Sequence, residues 1–356
     1  TRGAPDGIGG WCSIDTESHG GASAIAFEQV TKVFPGAARP AVNDVSLTVA
    51  PGEFVVLLGP SGCGKTTLLK LVNRLYEPTS GRIVIDGEPI TTLPAPQLRR
   101  RIGYVIQQSG LFPHYRVWEN VATVPRLLGW DKRRIATRVD DLLGLVGLPP
   151  AEYRMRYPAQ LSGGEQQRVG LARALAADPT MVLMDEPFGA LDAITRTRLQ
   201  DEVRRFHRQL RQTTVFVTHD IEEAVRLADR IVVMRAGEVV QYDTPLAIVL
   251  DPADEFVADL VGANDVLRRL SLIPAATAMQ PLGPGGPPPD APTVTTGSDL
   301  RAALSQLLAD DVPVLTVVDD DGRLVGTLDL EAIQAVSVPN ADVPADVQVE
   351  TAGPHR

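Results

Sequence analysis

Apolar runs of two kinds alternate along this chain. Residues 24–33 and 45–49 carry the mixed apolar and polar pattern of strands with one wet face. Glu53-Phe-Val-Val-Leu-Leu58, Thr180-Met-Val-Leu-Met-Asp185 and Thr213-Thr-Val-Phe-Val-Thr218 are continuous apolar runs, the pattern of strands buried on both faces. Helical stretches lie between them at 65–75, 164–177 and 193–211. Strands alternating with helices predict an α/β fold with a parallel or mixed sheet covered on both sides, and such sheets bind ligands at the carboxyl ends of their strands. Asp185, Glu186 and His219 fall at those ends, as does a glycine loop after Leu58.

Breaks in the pattern divide the chain. Residues 1–23 are rich in Gly, Ser and Thr without a sustained apolar period and read as a disordered extension; the chain opens with Thr, the mark of a truncated or processed end. The main domain spans 24–262, with a predominantly helical insertion at about 110–165. Residues 263–292 read as a linker, because Pro281-Leu-Gly-Pro-Gly-Gly-Pro-Pro-Pro289 is a linker by composition. A small α+β unit follows at 293–337: a helix near 299–308, a strand at 314–318, a turn at Asp319-Asp-Asp-Gly322, a strand at 324–328 and a further helix. Residues 338–356 read as a flexible tail.

Charge changes this picture only at one end. The net charge is −10, and from Pro281 onward there are 12 acidic residues against three arginines. This is the balance of a solvated acidic appendage, with regulation through salt screening as the alternative. The acidity argues against nucleic acid as a partner. No run approaches the 18 apolar residues of a membrane span, and the N-terminus lacks a secretory pattern. Cys12 and Cys63 make no disulfide framework, which suits a reducing cytoplasm.

Gly59-Pro60-Ser61-Gly62-Cys63-Gly64-Lys65-Thr66-Thr67 has the form G-x-x-x-x-G-K-[ST], in which glycines let backbone N–H groups turn toward phosphate. A helix starting near Lys65 adds its positive end. Lys65 is expected to reach the β- and γ-phosphates of ATP and Thr66 to ligate Mg²⁺. Asp185 is expected to hold the same Mg²⁺, through water, and Glu186 to polarise the attacking water. Adjacent carboxylates after a strand otherwise make only a solvated turn.

The order of glycine loop, Gln107, Leu161-Ser162-Gly163-Gly164-Glu165-Gln166, Asp185-Glu186, Ala190-Leu-Asp192 and His219 resembles the ATP-binding-cassette (ABC) ATPases over residues 24 to about 262. The resemblance implies a P-loop cassette with an inserted helical lobe, working as a face-to-face pair. In it Ser162, Gly163, Gly164 and Glu165 meet the ATP held by the partner subunit. It makes Gln107, chosen over Gln108 by the register of Leu111-Phe-Pro-His114, the glutamine that senses Mg²⁺ and water. It makes His219 the switch histidine at the γ-phosphate and Phe34 the aromatic that stacks on adenine, where most members carry Tyr. His19, His114, His207 and His355 have no such place.

Tyr104-Val-Ile-Gln-Gln-Ser-Gly-Leu-Phe-Pro-His114, Val124-Pro-Arg-Leu-Leu-Gly-Trp130, Asn73-Arg-Leu-Tyr-Glu-Pro78 and Phe256-Val-Ala-Asp-Leu-Val-Gly262 resemble the quaternary-amine importers of glycine betaine, choline and carnitine. Polyamine and amino-acid importers share parts of these motifs. The implied partners are a second ATPase subunit, transmembrane permease subunits and, indirectly, a substrate-binding protein. The implied place is the cytoplasmic face of the membrane. Residues 293–337 resemble a single cystathionine-β-synthase-type module; Ala332 stands where adenosine-binding modules carry Asp, and Asp329 where a small hydroxyl residue is common. The resemblance therefore leaves docking or dimer contact as open a role for the module as nucleotide binding.

Overall fold

The computed structural model describes residues 23–106, 110–189, 191–262, 265–282, 291–319 and 321–337. The extension, the tail, Gln107 and Ala190 lie outside them, apart from Ser23.

The first region runs β1 (Ile25–Lys32), β2 (Val42–Val49), β3 (Phe54–Leu58), α1 (Lys65–Val72), β4 (Ser80–Ile85), β5 (Glu88–Pro89), α2 (Ala95–Arg101) and β6 (Ile102–Val105). The helical insertion follows: α3 (Val117–Val121), α4 (Thr123–Leu127), α5 (Lys132–Leu145) and α6 (Pro150–Tyr153). The chain returns through α7 (Gly163–Leu175), β7 (Met181–Asp185), α8 (Ala193–Leu210), β8 (Thr213–Thr218), α9 (Ile221–Leu227), β9 (Arg230–Arg235) and β10 (Glu238–Asp243). It then runs α10 (Pro245–Leu250), α11 (Glu255–Val261), α12 (Val266–Leu272), α13 (Ala275–Ala278), β11 (Thr293–Thr295), α14 (Leu300–Ala309), β12 (Val314–Val318), β13 (Leu324–Asp329) and α15 (Leu330–Ser337).

Six strands form the central sheet in the order β10-β9-β3-β8-β7-β6, all parallel except β10. An antiparallel sheet, β2-β1-β4-β5, lies beside it. The continuous apolar runs are continuous because both faces are covered. In β3, Val55 and Leu57 pack with the antiparallel sheet and α1, whereas Phe54, Val56 and Leu58 pack with α7, α8 and α9. All five are buried.

Parallel register sets the site. Leu58 pairs with Thr218, and Asp185 with Val217. Gly59, Glu186 and His219 therefore leave the sheet at one edge.

The third sheet, β11-β12-β13, belongs to the C-terminal module. The linker reading of 263–292 is corrected for residues 265–282, which fold onto this module. Asp265 caps α12, whose Arg269, Leu270 and Leu272 are buried. Ile273 O accepts from Leu300 N (2.9 Å), and Gln280 exchanges backbone bonds with Thr327 (2.8 and 3.0 Å). Proline and glycine density at 281–289 conceals this, because the residues just before it are apolar and pair with strands far along the chain. Asp329 has a local use: its Oδ1 accepts from Ala332 N at 2.8 Å, at the start of α15.

Candidate active site

The glycine loop joins β3 to α1. Gly59, Gly62 and Gly64 have φ of 152°, 82° and 110°. A Cβ at Gly64 would stand 2.3 Å from Ala41 O, and one at Gly59 would stand 2.3 Å from Met234 O. At these two positions only hydrogen fits, so the loop backbone is held against its neighbours rather than filled by side chains. Gly64 is also the N-cap of α1, which has no side-chain cap and no acid in its first turn. A helix start of this kind is fitted to an anion.

Lys65 is buried at 5% exposure and folds back onto the loop. Its Nζ donates to Gly59 O (2.7 Å) and Pro60 O (2.9 Å) and lies 3.8 Å from Cys63 Sγ. A buried ammonium needs such partners. Phosphate oxygens arriving in the loop would exchange neutral acceptors for charged ones, which form the stronger bonds.

Thr66, the next residue of α1, donates from Oγ1 to Asp185 Oδ1 at 2.7 Å. Burial pushes the Asp185 carboxyl up from its ordinary value; the Thr66 bond and the Lys70 and Lys65 charges oppose that. A hydroxyl and a carboxylate this close can share one divalent cation. Among the described residues no three His, Cys, Asp or Glu side chains converge into a cation cage. The pair fits Mg²⁺, which keeps waters and takes phosphate oxygens alongside one or two protein ligands.

Glu186 follows with φ +43°, a left-handed backbone that costs a non-glycine residue roughly 1–3 kcal/mol. Its N–H donates to Val217 O at 3.1 Å, and its O accepts from Gly189 N at 3.3 Å. The turn swings the carboxylate toward β8. Oε1 lies 3.4 Å from Nδ1 of His219, which is itself largely exposed.

Ser162-Gly163-Gly164-Glu165 opens α7 away from the glycine loop in sequence. Ser162 Oγ accepts from Glu165 N (3.3 Å), and Glu165 Oε2 accepts from Ser162 N (2.7 Å), a reciprocal capping box. Tyr153 donates to Glu165 Oε1 at 2.7 Å. That bond, ahead of those from Ser162, holds the Glu165 carboxyl below its ordinary value. A Cβ at Gly163 would meet nothing within 4 Å, so this helix start presents bare backbone.

Phe34 is half-buried and meets Tyr76 edge-on, with ring centroids 5.1 Å apart. Lys32 Nζ stands 5.3 Å from the Phe34 centroid. Tyr76 was not singled out by sequence; its place in Asn73-Arg-Leu-Tyr-Glu-Pro78 after the first helix was the available signal. Tyr104 was missed too. Burial, with the Asp185 carboxylate nearby, pushes its phenol up, and its buried hydroxyl has no hydrogen-bond partner among the described residues.

The structure thus brings Gly59–Gly64, Lys65, Thr66, Asp185, Glu186 and His219 to one edge of the central sheet. Gln107 lies outside the described residues. The Ser162 segment sits on a separate helix start.

Comparison with known proteins places this geometry. The family model described as "ABC transporter" matches residues 42–189. The glycine betaine uptake system ATP-binding protein YehX of Escherichia coli is 50% identical over 305 residues, covering 85% of this chain and 97% of that protein. The glycine betaine/carnitine/choline transport ATP-binding protein OpuCA of Bacillus subtilis is 48% identical over 309 residues, covering 87% and 79%. Among solved structures, the dimeric post-hydrolysis state of the ATP-binding cassette MJ0796 bound to ADP and Pi superposes with a TM-score of 0.57 at 34% identity, covering 62% of this chain and 98% of that one.

Proposed function

We propose, from the premise that this chain belongs to the ABC transporter family and is an ATP-hydrolysing subunit of it, that its transporter imports quaternary-amine osmoprotectants of the glycine betaine, choline, carnitine or proline type. One observation carries the substrate class. The solved cassette covers 62% of this chain, whereas the relatives named for glycine betaine and its analogues cover 85–87%. The likeness to them therefore runs past the cassette and into the C-terminal module.

ATP is the substrate. Its phosphates lie along the loop amides and the start of α1, with Lys65 exchanging Gly59 O and Pro60 O for β- and γ-phosphate oxygens. Phe34 stacks on the adenine. Thr66 and Asp185 would hold Mg²⁺, with Gln107 as the further ligand that the family pattern implies; when bound, the ion would neutralise phosphate charge. Glu186 polarises the attacking water and takes its proton, and His219 steadies the γ-phosphate under attack as ADP leaves. Fixed dipoles and charges supply most of such catalysis, so the strain at Glu186 serves orientation.

Ser162, Gly163, Gly164 and Glu165 complete the site of a second copy. The bare backbone at the start of α7 suits the γ-phosphate presented by a facing subunit. ATP closes the pair and hydrolysis releases it. A permease that binds the closed and open pairs with different affinity converts that cycle into alternating access. Among the described residues no helix is long and apolar enough to cross a membrane. In this reading transmembrane permease subunits carry the solute, fed by a substrate-binding protein. The helical insertion is the surface for the permease, on the cytoplasmic side.

The test is uptake by proteoliposomes holding this subunit, its permease and its binding protein. Labelled glycine betaine, choline or carnitine is expected to enter with ATP inside, and polyamines and other amino acids are expected not to compete. Uptake of a polyamine with indifference to every quaternary amine would contradict the assignment.

A further inference from the structure

Glu223 is a buried carboxylate that the hydrolysis site does not use. It lies in the first turn of α9 at 7% exposure, where the charge of a helix N-terminus ordinarily faces water. It does not cap its own helix: Asp220 Oδ1 accepts from Glu222 N (2.9 Å) and Glu223 N (3.4 Å). Instead both oxygens of Glu223 reach other elements. Oε2 accepts from Thr218 Oγ1 at 2.7 Å, and Oε1 accepts from Gln200 Nε2 at 3.2 Å. Thr218 and Gln200 are themselves buried, at 2% and 5%.

Arg196 extends the cluster. Its Nε lies 3.9 Å from Glu223 Oε1, and its terminal nitrogens lie 3.8 Å from Asp220 Oδ2 and 3.3 Å from Leu191 O, to which one donates. Thr218 Oγ1 in turn accepts from Asp220 N at 3.0 Å. Thr218 and Asp220 are the two chain neighbours of His219. The exposed imidazole is thus anchored on both sides, by Thr218 and Asp220, to one buried cluster on α8 and α9. The same cluster grips Leu191 O, the residue before the N-cap Asp192 of α8.

Burying a carboxylate without need is costly, and a surface-helix glutamate could have stayed solvated. The cost is offset here by two hydrogen-bond donors, Thr218 from β8 and Gln200 from α8, and by the Arg196 charge 3.9 Å away. Removal of one charge from such a cluster leaves the others unbalanced and lets the backbone they hold relax.

We propose that Glu223 is a positioning residue for hydrolysis, fixing the Thr218–Asp220 backbone through Thr218, Gln200 and Arg196 so that His219 meets the terminal phosphate. The inference rests on the placing of His219 at that phosphate. It assigns no contact between Glu223 and ATP. Small misplacements of a reacting group are enough to cost roughly 10- to 100-fold in rate, which sets the size of the expected effect.

The experiment is a double-mutant cycle on the full chain assembled with its permease. Glu223→Gln keeps the shape and removes the charge. It is expected to lower kcat roughly 10- to 100-fold while leaving KM and the affinity for a fluorescent ATP analogue within about twofold. In a His219→Ala background, read by single-turnover hydrolysis, the same change is expected to cost nothing further, because residues that act through one another are not additive. An equal loss in both backgrounds, or a loss of nucleotide affinity matching the loss of rate, would make Glu223 merely structural and overturn the proposal. Unchanged kcat in Glu223→Gln would overturn it as well. The His219→Ala arm alone reads the assignment beneath: full activity there sinks the histidine's role whatever Glu223 does. If Glu223→Gln fails to fold, Thr218→Ser and Thr218→Val read the same link. The serine is expected to retain turnover and the valine to lose it in the parent background only; equal behaviour of the two contradicts the proposal.

Discussion

Thr66 Oγ1 and Asp185 Oδ1 are 2.7 Å apart, although 119 residues separate them in the chain. The bond ties the first turn of α1 to the end of β7. It also joins the two side chains that would share Mg²⁺. Asp185→Asn keeps the volume but loses the charge. Its nucleotide affinity in the presence of Mg²⁺ is expected to fall to that of the parent protein in EDTA, and removal of the metal is expected to change the mutant little. Titration of a fluorescent ATP analogue with and without EDTA checks this. A mutant as Mg²⁺-dependent as the parent would remove Asp185 from the metal site.

Two glycines of one loop separate backbone freedom from space. Gly62 has φ +82° and nothing within 4 Å of an added Cβ, whereas Gly64 has φ +110° and Ala41 O at 2.3 Å. Gly62→Ala bears only the left-handed penalty, about 1–2 kcal/mol. Gly64→Ala adds a collision with backbone. Thermal unfolding is expected to show a modest loss of Tm for the first and a clearly larger one for the second, with ATP affinity abolished in the second. Equal losses would mean that contact with Ala41 does not constrain the loop.

The loop, the buried strands and their polar ends were legible in sequence because each depends on local pattern. The strand 213–218 is observed at those same residues. Glu223 was not legible: a glutamate in the first turn of a helix reads as an ordinary favourable charge. Only burial against Gln200 and Thr218, both remote in sequence, distinguishes it. Residues 265–282 were misassigned because linker composition just beyond them masked a helix that packs on α14. The short strand β6 passed unnoticed, since four residues after Arg99-Arg-Arg101 give too little pattern to recognise.

Acid sensitivity has a structural source in His207. Burial against Phe54, whose ring centroid is 5.1 Å away, pushes its imidazole below the ordinary value of 6.5, with Asp229 opposing. Backbone hydrogen bonds at Gly52 and Gln212 oppose the shift as well. Because the folded pKa is depressed, the unfolded chain takes up the proton first. Stability from this residue is therefore complete above pH 6.5 and is lost as pH falls from there toward the folded value. His207→Leu is expected to flatten that part of the stability curve, measured by urea unfolding between about pH 5 and 8. An unchanged difference between the two pH values would exclude His207 as the source.

Glu186→Gln tests the central claim, that one ATP is held between the glycine loop of one copy and the Ser162–Gly164 segment of another. The substitution removes the proposed base and keeps the loop, so ATP is expected to bind and stay. Measured by light scattering on the isolated subunit, the mutant saturated with Mg²⁺ and ATP is expected to double its mass from 38.2 kDa and to return to it when ADP replaces ATP. A mass that stays at that of a single chain with ATP would contradict the account.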